Sequence, residues 1–387
     1  MRLAERMSRL GTETAFEVLA KAKALEAQGK HIVHLEIGEP DFDTPINIRD
    51  AAKKALDSGW THYNPSAGLL DVREAICRDM KRRRNIDVTP DMVVVTPGAK
   101  PIMFFVILAL AQNGDEVIYP NPGFPIYESV IRFSGATPVP IRLREERDFS
   151  FDADELISLI TDQTRLIILN SPQNPTGGII KAEDLKKVAD AVRNRDLMIL
   201  SDEVYINIIY EGAFATITGY QGMLEKTIIL DGLSKTYAMT GWRIGYGVMR
   251  PDLAAQVAKL QTNSNSCTNS FVQRAAIEAI EGPQEESAKM VAEFKKRRDF
   301  IVEGLNKIQD FSCRMPKGAF YVFPNITKTG MTSRQLETFL LEKAGVAGLS
   351  GTSFGEYGEG YLRFSYANSI ENIGIALNRI ADALKKR

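Results

Sequence analysis

Lys235 stands between a short apolar run, Thr227 to Leu230, and a glycine-punctuated turn, in the stretch D-G-L-S-K-T-Y-A-M-T-G-W-R-I-G-Y-G from Asp231 to Gly247. Ser234 precedes it and Arg243 follows. An amine, a hydroxyl and a guanidinium can therefore converge on one small anion, as a Schiff-base lysine beside a phosphate clamp requires. Taken alone, such a lysine is most often a solvated group in a polar loop. Residues elsewhere in the chain decide between the two.

Ligands of open α/β sheets sit beyond the carboxyl ends of the strands, and four further strand-end loops carry unusual content. T-P-G-A-K, Thr96 to Lys100, opens a helix whose free N–H groups and positive dipole end suit a phosphate, although most such helix starts bind nothing. N-P-G-F-P-I-Y sets Phe124 and Tyr127 on one rim, either to stack on a flat ligand or to pack under a proline-rich loop. N-S-P-Q-N-P-T-G-G holds Asn174 before Pro175, a fixed amide or simply a turn. S-D-E-V-Y puts the Asp202 carboxylate at the end of an apolar run, with Tyr205 following. A desolvated carboxylate there needs a cation, and a protonated ring nitrogen serves as well as a side chain.

The elements that must position these loops follow from periodicity. After Pro90, short β-rich runs at Val93–Val95, Glu116–Tyr119, Val139–Leu143, Leu166–Leu169, Met198–Leu200, Thr227–Leu230 and Tyr246–Met249 alternate with helical segments, which predicts a largely parallel, doubly wound sheet. Upstream, helical spacing covers residues 14 to 29, 48 to 56 and 70 to 82, with a strand-like run from Ile32 to Ile37. Downstream, an amphipathic helix spans 285 to 308. Strand-like Ala319–Phe323 and Tyr361–Ser365, a helix from Ser333 to Lys343 and a final helix complete the chain. The expected architecture is a large α/β domain over residues 45–280, its mostly parallel sheet covered by helices. A smaller α+β domain is expected from both chain ends, 1–44 and 281–387. The basic clusters Lys81 to Arg84 and Lys295 to Arg298 read as solvated helix faces. The glycine-rich run Gly345 to Gly360 reads either as a segment that flexes during domain closure or as a solvated loop.

Composition narrows the function. The 387 residues exceed the roughly 250 to 300 at which single cores stop growing. Lys plus Arg at 48 against Asp plus Glu at 49 gives no electrostatic reason to expect a nucleic acid or a membrane as partner. Cys77, Cys267 and Cys313 lie far apart, and His31, His34 and His62 do not form a metallohydrolase pattern, so no metal is expected. The first ten residues lack the apolar core of a secretory signal, and Ile102 to Ala111 is about half a membrane span, so a cytoplasmic protein is expected. No dinucleotide or triphosphate glycine motif is present. A phosphate seat, a stacking ring, an amide, a carboxylate, a phenol, a lysine and an arginine together match what pyridoxal phosphate asks of its site.

With N-P-T-G, D-E-V-Y, S-K-x-x-x-x-x-G-x-R-x-G and Y-L-R-F-S in one chain, the sequence resembles the fold-type I, pyridoxal-phosphate-dependent class I aminotransferases of the aspartate aminotransferase superfamily, from Gly38 to the C-terminal segment. The resemblance implies a ping-pong transaminase in which Lys235 forms the aldimine and moves the substrate proton, Asp202 meets the pyridinium nitrogen, and Asn174 and Tyr205 meet the phenolic oxygen. It implies Phe124 stacked on the ring. Gly98, Ala99 and Lys100, with Ser234 and Arg243, would lie around the phosphate. Gly38, Asn174 and Arg363 would meet an amino acid or 2-oxo acid substrate, Arg363 as a bidentate fork on the α-carboxylate. Tyr63, in H-Y-N-P-S-A-G, would reach the phosphate of a neighbouring subunit, which makes a homodimer functional.

Two positions depart from the family pattern: Gly232 stands where many relatives place a Ser or Thr, and Phe124 where they often place Trp or Tyr. The helix from Pro101 to Gln112 carries no Lys or Arg, so a neutral or apolar donor is expected, with 2-oxoglutarate or pyruvate as acceptor, unless a cation from elsewhere reads a second carboxylate. Two competing readings use the same scaffold: a carbon–sulfur β-lyase, and a catalytically silent cofactor-binding regulator. The intact Lys235, Asp202 and Arg363, and the absence of a basic helix-turn-helix segment, speak against the regulator.

Overall fold

The structure is a computed structural model and describes residues 1–386. Twelve strands occur among them: β1 (Val33–His34), β2 (Val93–Thr96), β3 (Glu116–Asn121), β4 (Thr137–Arg142), β5 (Thr164–Asn170), β6 (Met198–Asp202), β7 (Thr227–Gly232), β8 (Gly245–Val248), β9 (Tyr321–Val322), β10 (Val346–Ala347), β11 (Leu349–Ser350) and β12 (Leu362–Ser365). Seven build one sheet in the order β2-β8-β7-β6-β5-β3-β4. Six of these run the same way, and only β8 runs against its neighbours β2 and β7. Each predicted strand of the large sheet is present, longer or shorter by a few residues.

Buried parallel strands need apolar residues on both faces, and these supply them. Val94, Val117, Leu166, Leu200 and Leu230 pack toward the helices Lys100–Leu110, Ile126–Ser134 and Pro251–Asn265. Val93, Val95 and Ile229 face the helices Ile46–Asp57, Leu70–Arg84 and Ser270–Glu281. Ile118, Ile167 and Ile199 face Ala182–Val192. The period-two alternation of Val93, Val94 and Val95 between two cores is what places helices on both sides.

The chain ends come together in a smaller α+β unit. β1 pairs in parallel with β10, and β11-β12-β9 form an antiparallel sheet. Their apolar faces share a core with the 23-residue helix Glu285–Lys307 and the last helix, Ile370–Lys385. That last helix starts at Ser369, whose hydroxyl accepts from Asn372 N at 3.1 Å. The predicted strand from Ile32 to Ile37 shortens to two residues, and the segment after it bends into the site.

Both basic clusters depart in part from the solvated reading. Arg84 is buried between Glu203 (2.6 Å) and Asp231 (2.9 Å), and the largely buried Arg83 side chain pairs with Asp79 and Asp231. Arg297 meets Asp41 at 2.6 Å and Arg298 meets Glu211 at 2.9 Å, both arginines buried. Lys81, Arg82, Lys295 and Lys296 keep the solvated placement. The glycine-rich run is likewise no solvated loop: Leu349, Ser350, Gly351, Ser353 and Phe354 are buried. Charge runs look solvated in sequence because their carboxylate partners lie on other elements, up to 256 residues away for Asp41 and Arg297.

Candidate active site

The loops after β2, β3, β5, β6 and β7 end on one side of the sheet, where they meet the segment after β1 and strand β12. Between them lies a cavity of about 400 Å³, within the size range of small-molecule sites. The structure brings eleven of the thirteen sequence-predicted residues to its wall: Gly38, Ala99, Lys100, Phe124, Asn174 and Asp202, then Tyr205, Ser234, Lys235, Arg243 and Arg363. Gly98 lies just behind the wall, and Tyr63 stands apart from it, 91% exposed on the single chain.

Lys235 Nζ donates to the Gly38 carbonyl at 2.7 Å and lies 5.9 Å from the Phe320 ring. Burial holds this amine down to about 8, opposed by Glu39 and helped by the positive charges of Arg363 and Arg243. Asp202 is buried at the end of β6. The Tyr127 hydroxyl donates to its Oδ2 at 2.6 Å and Val204 N to its Oδ1 at 3.3 Å. Burial nevertheless pushes the Asp202 carboxyl up to about 6. Among the described residues no Lys, Arg or His forms an ion pair with it.

Arg363, at 4% exposure, lies 4.6 Å from the Tyr321 ring and 4.9 Å from that of Phe354. Its Nη1 donates to Asn174 Oδ1 at 3.1 Å and its Nη2 to the Glu36 carbonyl, while its Nε has no partner. Asn174 is itself fixed from β5, where Asn170 Oδ1 accepts its N–H at 3.1 Å. The Tyr205 hydroxyl, expected to face a ligand oxygen, shares a 2.6 Å hydrogen bond with that of Tyr321.

The helix Lys100–Leu110 presents its N-terminus to the same space. Arg243 adopts a positive φ of 53° and donates to Thr240 O at 2.9 Å and Pro97 O at 3.3 Å. Gly98 has a φ of +88°, and a Cβ there would come within 2.2 Å of Arg243 Nη2. At Gly38 a Cβ would stand 2.2 Å from the Tyr321 hydroxyl. Gly232 is extended, with φ −172°, and a Cβ would meet that of Ala99 at 3.3 Å, so a side chain there needs a small local shift.

Sequence reasoning missed Tyr321, Phe354 and the N-terminal stretch Glu13–Phe16, all on the cavity wall. Tyr127, expected as a stacking or packing ring, is the donor to Asp202. No local motif marks Tyr321. Its place follows only from β9 pairing with β12, which carries Arg363. Lys100 reaches Glu13 and lies over Phe124, 5.3 Å from the ring centroid.

Known proteins match this chain along nearly its whole length. The chain is similar to the aspartate aminotransferase of Pyrococcus horikoshii, at 42% identity over 99% of this chain and 97% of that protein. It is also similar to aromatic-amino-acid aminotransferase 2 of Thermococcus litoralis, at 36% identity over 100% and 99%. The crystal structure of the aspartate aminotransferase from Rhizobium meliloti superposes with a TM-score of 0.95 at 34% identity, over 100% of this chain and 99% of that one. The family model for aminotransferase class I and II matches residues 30–380. By that match, and by relatives covered almost end to end, this chain belongs to the class I and II aminotransferases, transaminases that use pyridoxal 5'-phosphate.

Proposed function

We propose that this protein moves the α-amino group of an L-amino acid to a 2-oxo acid in two half-reactions at the cavity described above. The observation that carries the reading is Asp202: a buried carboxylate without a cationic side-chain partner, on the same wall as an amine whose pKa burial has brought down to about 8. That pair fits pyridoxal phosphate. The ring nitrogen, when protonated, is the cation Asp202 lacks, and the aldehyde matches a lysine that is easily made neutral and nucleophilic. Bound there, the cofactor supplies the aldehyde and a conjugated ring that takes up the electron pair left when the substrate Cα loses its proton.

The chain's own residues do the rest. Lys235 would be the attachment point and, when free, would hold and return the proton at Cα. Asp202, kept in place by Tyr127 and Val204 N, would favour a protonated ring nitrogen. Asn174 and Tyr205 would hold the phenolic oxygen, and Phe124 would offer its ring for stacking. The N-terminus of Lys100–Leu110, with Gly98 and Ala99 leading into it, would hold the phosphate together with Ser234 and Arg243. Arg363 grips the α-carboxylate, since its unpartnered Nε leaves donor capacity for an anion.

The remaining wall sets the donor. Ile37, Phe16, Leu349 and Phe354 line it, which suits neutral or apolar side chains, with 2-oxoglutarate or pyruvate as acceptor. A specific observation supports a second reading, a dicarboxylic donor: Lys100 also lines the cavity, and Glu13, its ion-pair partner, sits on the N-terminal segment. A panel of donors with each acceptor separates them. Leucine, methionine or phenylalanine reacting at least as fast as aspartate supports the first, and aspartate far ahead establishes the second. Keto-acid-independent release of pyruvate and ammonia would instead make the protein a β-lyase.

A further inference from the structure

Glu36 is a fully buried carboxylate beside the cavity that the scheme above does not use. Its Oε1 lies 2.7 Å from His34 Nδ1, and its Oε2 has no hydrogen-bond partner. The other ring nitrogen, His34 Nε2, lies 3.0 Å from Glu26 Oε1 at the end of the helix Ala15–Glu26, and Lys23 occupies the second oxygen of Glu26. A carboxylate only accepts, and a neutral imidazole donates from one nitrogen alone. With both acids ionised, both contacts are donor-to-acceptor bonds together only when the ring carries both protons.

What Glu36 holds is the floor of the site. Its own carbonyl accepts from Arg363 Nη2, and the carbonyl of Gly38, two residues on, accepts from Lys235 Nζ. Around the His34 ring the charged groups are Glu36 on its own segment and Glu26 with Lys23 on the first long helix. Val346 and Ala347 on the paired strand are apolar. Asn368, before the last helix, donates to the His34 carbonyl at 3.0 Å and is neutral. Arg363, on β12, reaches the Glu36 carbonyl.

We propose that His34 is a positioning residue: as an imidazolium it neutralises buried Glu36 and so fixes the main chain from Glu36 to Gly38 that orients Arg363 toward the substrate α-carboxylate. The proposal rests on the reading of Arg363 given above. Burial alone would lower the His34 pKa, but hydrogen bonds and charge from Glu36 and Glu26 outweigh it and leave the pKa raised. The sign follows. The imidazolium form is complete at low pH and is lost as pH rises through this raised value, leaving Glu36 uncompensated and the donor KM higher.

The test is a set of steady-state profiles from about pH 5.5 to about pH 9 for wild type, His34→Gln, Glu36→Gln, the double variant and Arg363→Gln, with one donor and one acceptor. KM should rise about fivefold across the window in wild type, stay high at all pH in His34→Gln, and return to a low, flat value in the double variant, where no buried charge remains. The value of kcat should change less than KM. Proton NMR of the three histidines reads the pair directly: Glu36→Gln should lower the His34 pKa, whether or not His34→Gln folds. A His34 pKa unmoved by Glu36→Gln overturns the proposal, as does a wild-type KM profile in His34→Gln alongside an impaired Arg363→Gln. A wild-type KM in Arg363→Gln would instead overturn the reading of Arg363.

Discussion

At the scale of single residues, Asp202 concentrates the argument. Burial raises its carboxyl to about 6, above the ordinary 3.8, so the folded protein binds the proton more tightly than the unfolded chain does. The cost of holding the charge is therefore complete above about pH 6 and shrinks as pH falls from there toward 4. In cofactor-free protein Asp202→Asn should raise Tm at pH 8 by about 2–4 °C and progressively less below pH 6, measured by differential scanning calorimetry. In the loaded enzyme the same change should lower kcat/KM by about 10²-fold or more, since the cation opposite loses its partner. An Asp202→Asn variant no more stable than wild type when empty would mean that the charge is already compensated. The place of Lys235, Asn174 and Arg363 on one cavity wall was legible in the sequence because each sits in a compact motif. The hydroxyl that Tyr127 aims at Asp202 was not, because the same residue pattern serves a stacking ring equally well. Tyr321, placed only by strand pairing in a distant segment, left no local sign at all.

At the scale of elements, strand-end loops were the easiest feature to read. Buried parallel strands announce themselves as Val- and Ile-rich runs, and each loop inherits its place from the strand before it. The side of the sheet on which the ligand groups gather thus follows from sequence. The helix Leu70–Arg84 shows where that reasoning stops. Its basic end looks like a solvated terminus, yet Arg84 is buried against Glu203 and Asp231, next to Asp202 and near Lys235 respectively in the chain. Only the tertiary pairing shows this. Arg84→Met leaves buried Glu203 without its cation and Asp231 with Arg83 alone, so it should destabilise the protein by about 3–5 kcal/mol in urea unfolding. A loss below about 1 kcal/mol would mean that Glu203 finds a proton or another partner.

At the scale of the whole molecule, the architecture of a large sheet domain and a smaller unit built from both chain ends was readable because β-rich runs and helices alternate up to residue 248 and change texture afterwards. We take residues 45–280 as the large domain, with 1–44 and 281–387 as the smaller. Assembly is less visible in one chain. Tyr63, Trp60 and Leu70 are exposed near one another in sequence, at 91%, 36% and 55%. We propose a homodimer in which Tyr63 would complete the phosphate site of the partner copy. Sedimentation should then give a dimer, and Tyr63→Phe should weaken cofactor retention about tenfold, one lost charge-assisted hydrogen bond. A monomer that keeps its cofactor would contradict the assembly. The central claim is that Lys235 carries the cofactor, and it has a direct measurement: borohydride reduction of the loaded protein, digestion, and mass spectrometry of the peptides. The account predicts a pyridoxyl-phosphate mass on the peptide containing Lys235 and none in Lys235→Ala, which should also lose transamination. Label on another lysine, or full transamination by Lys235→Ala, would contradict it.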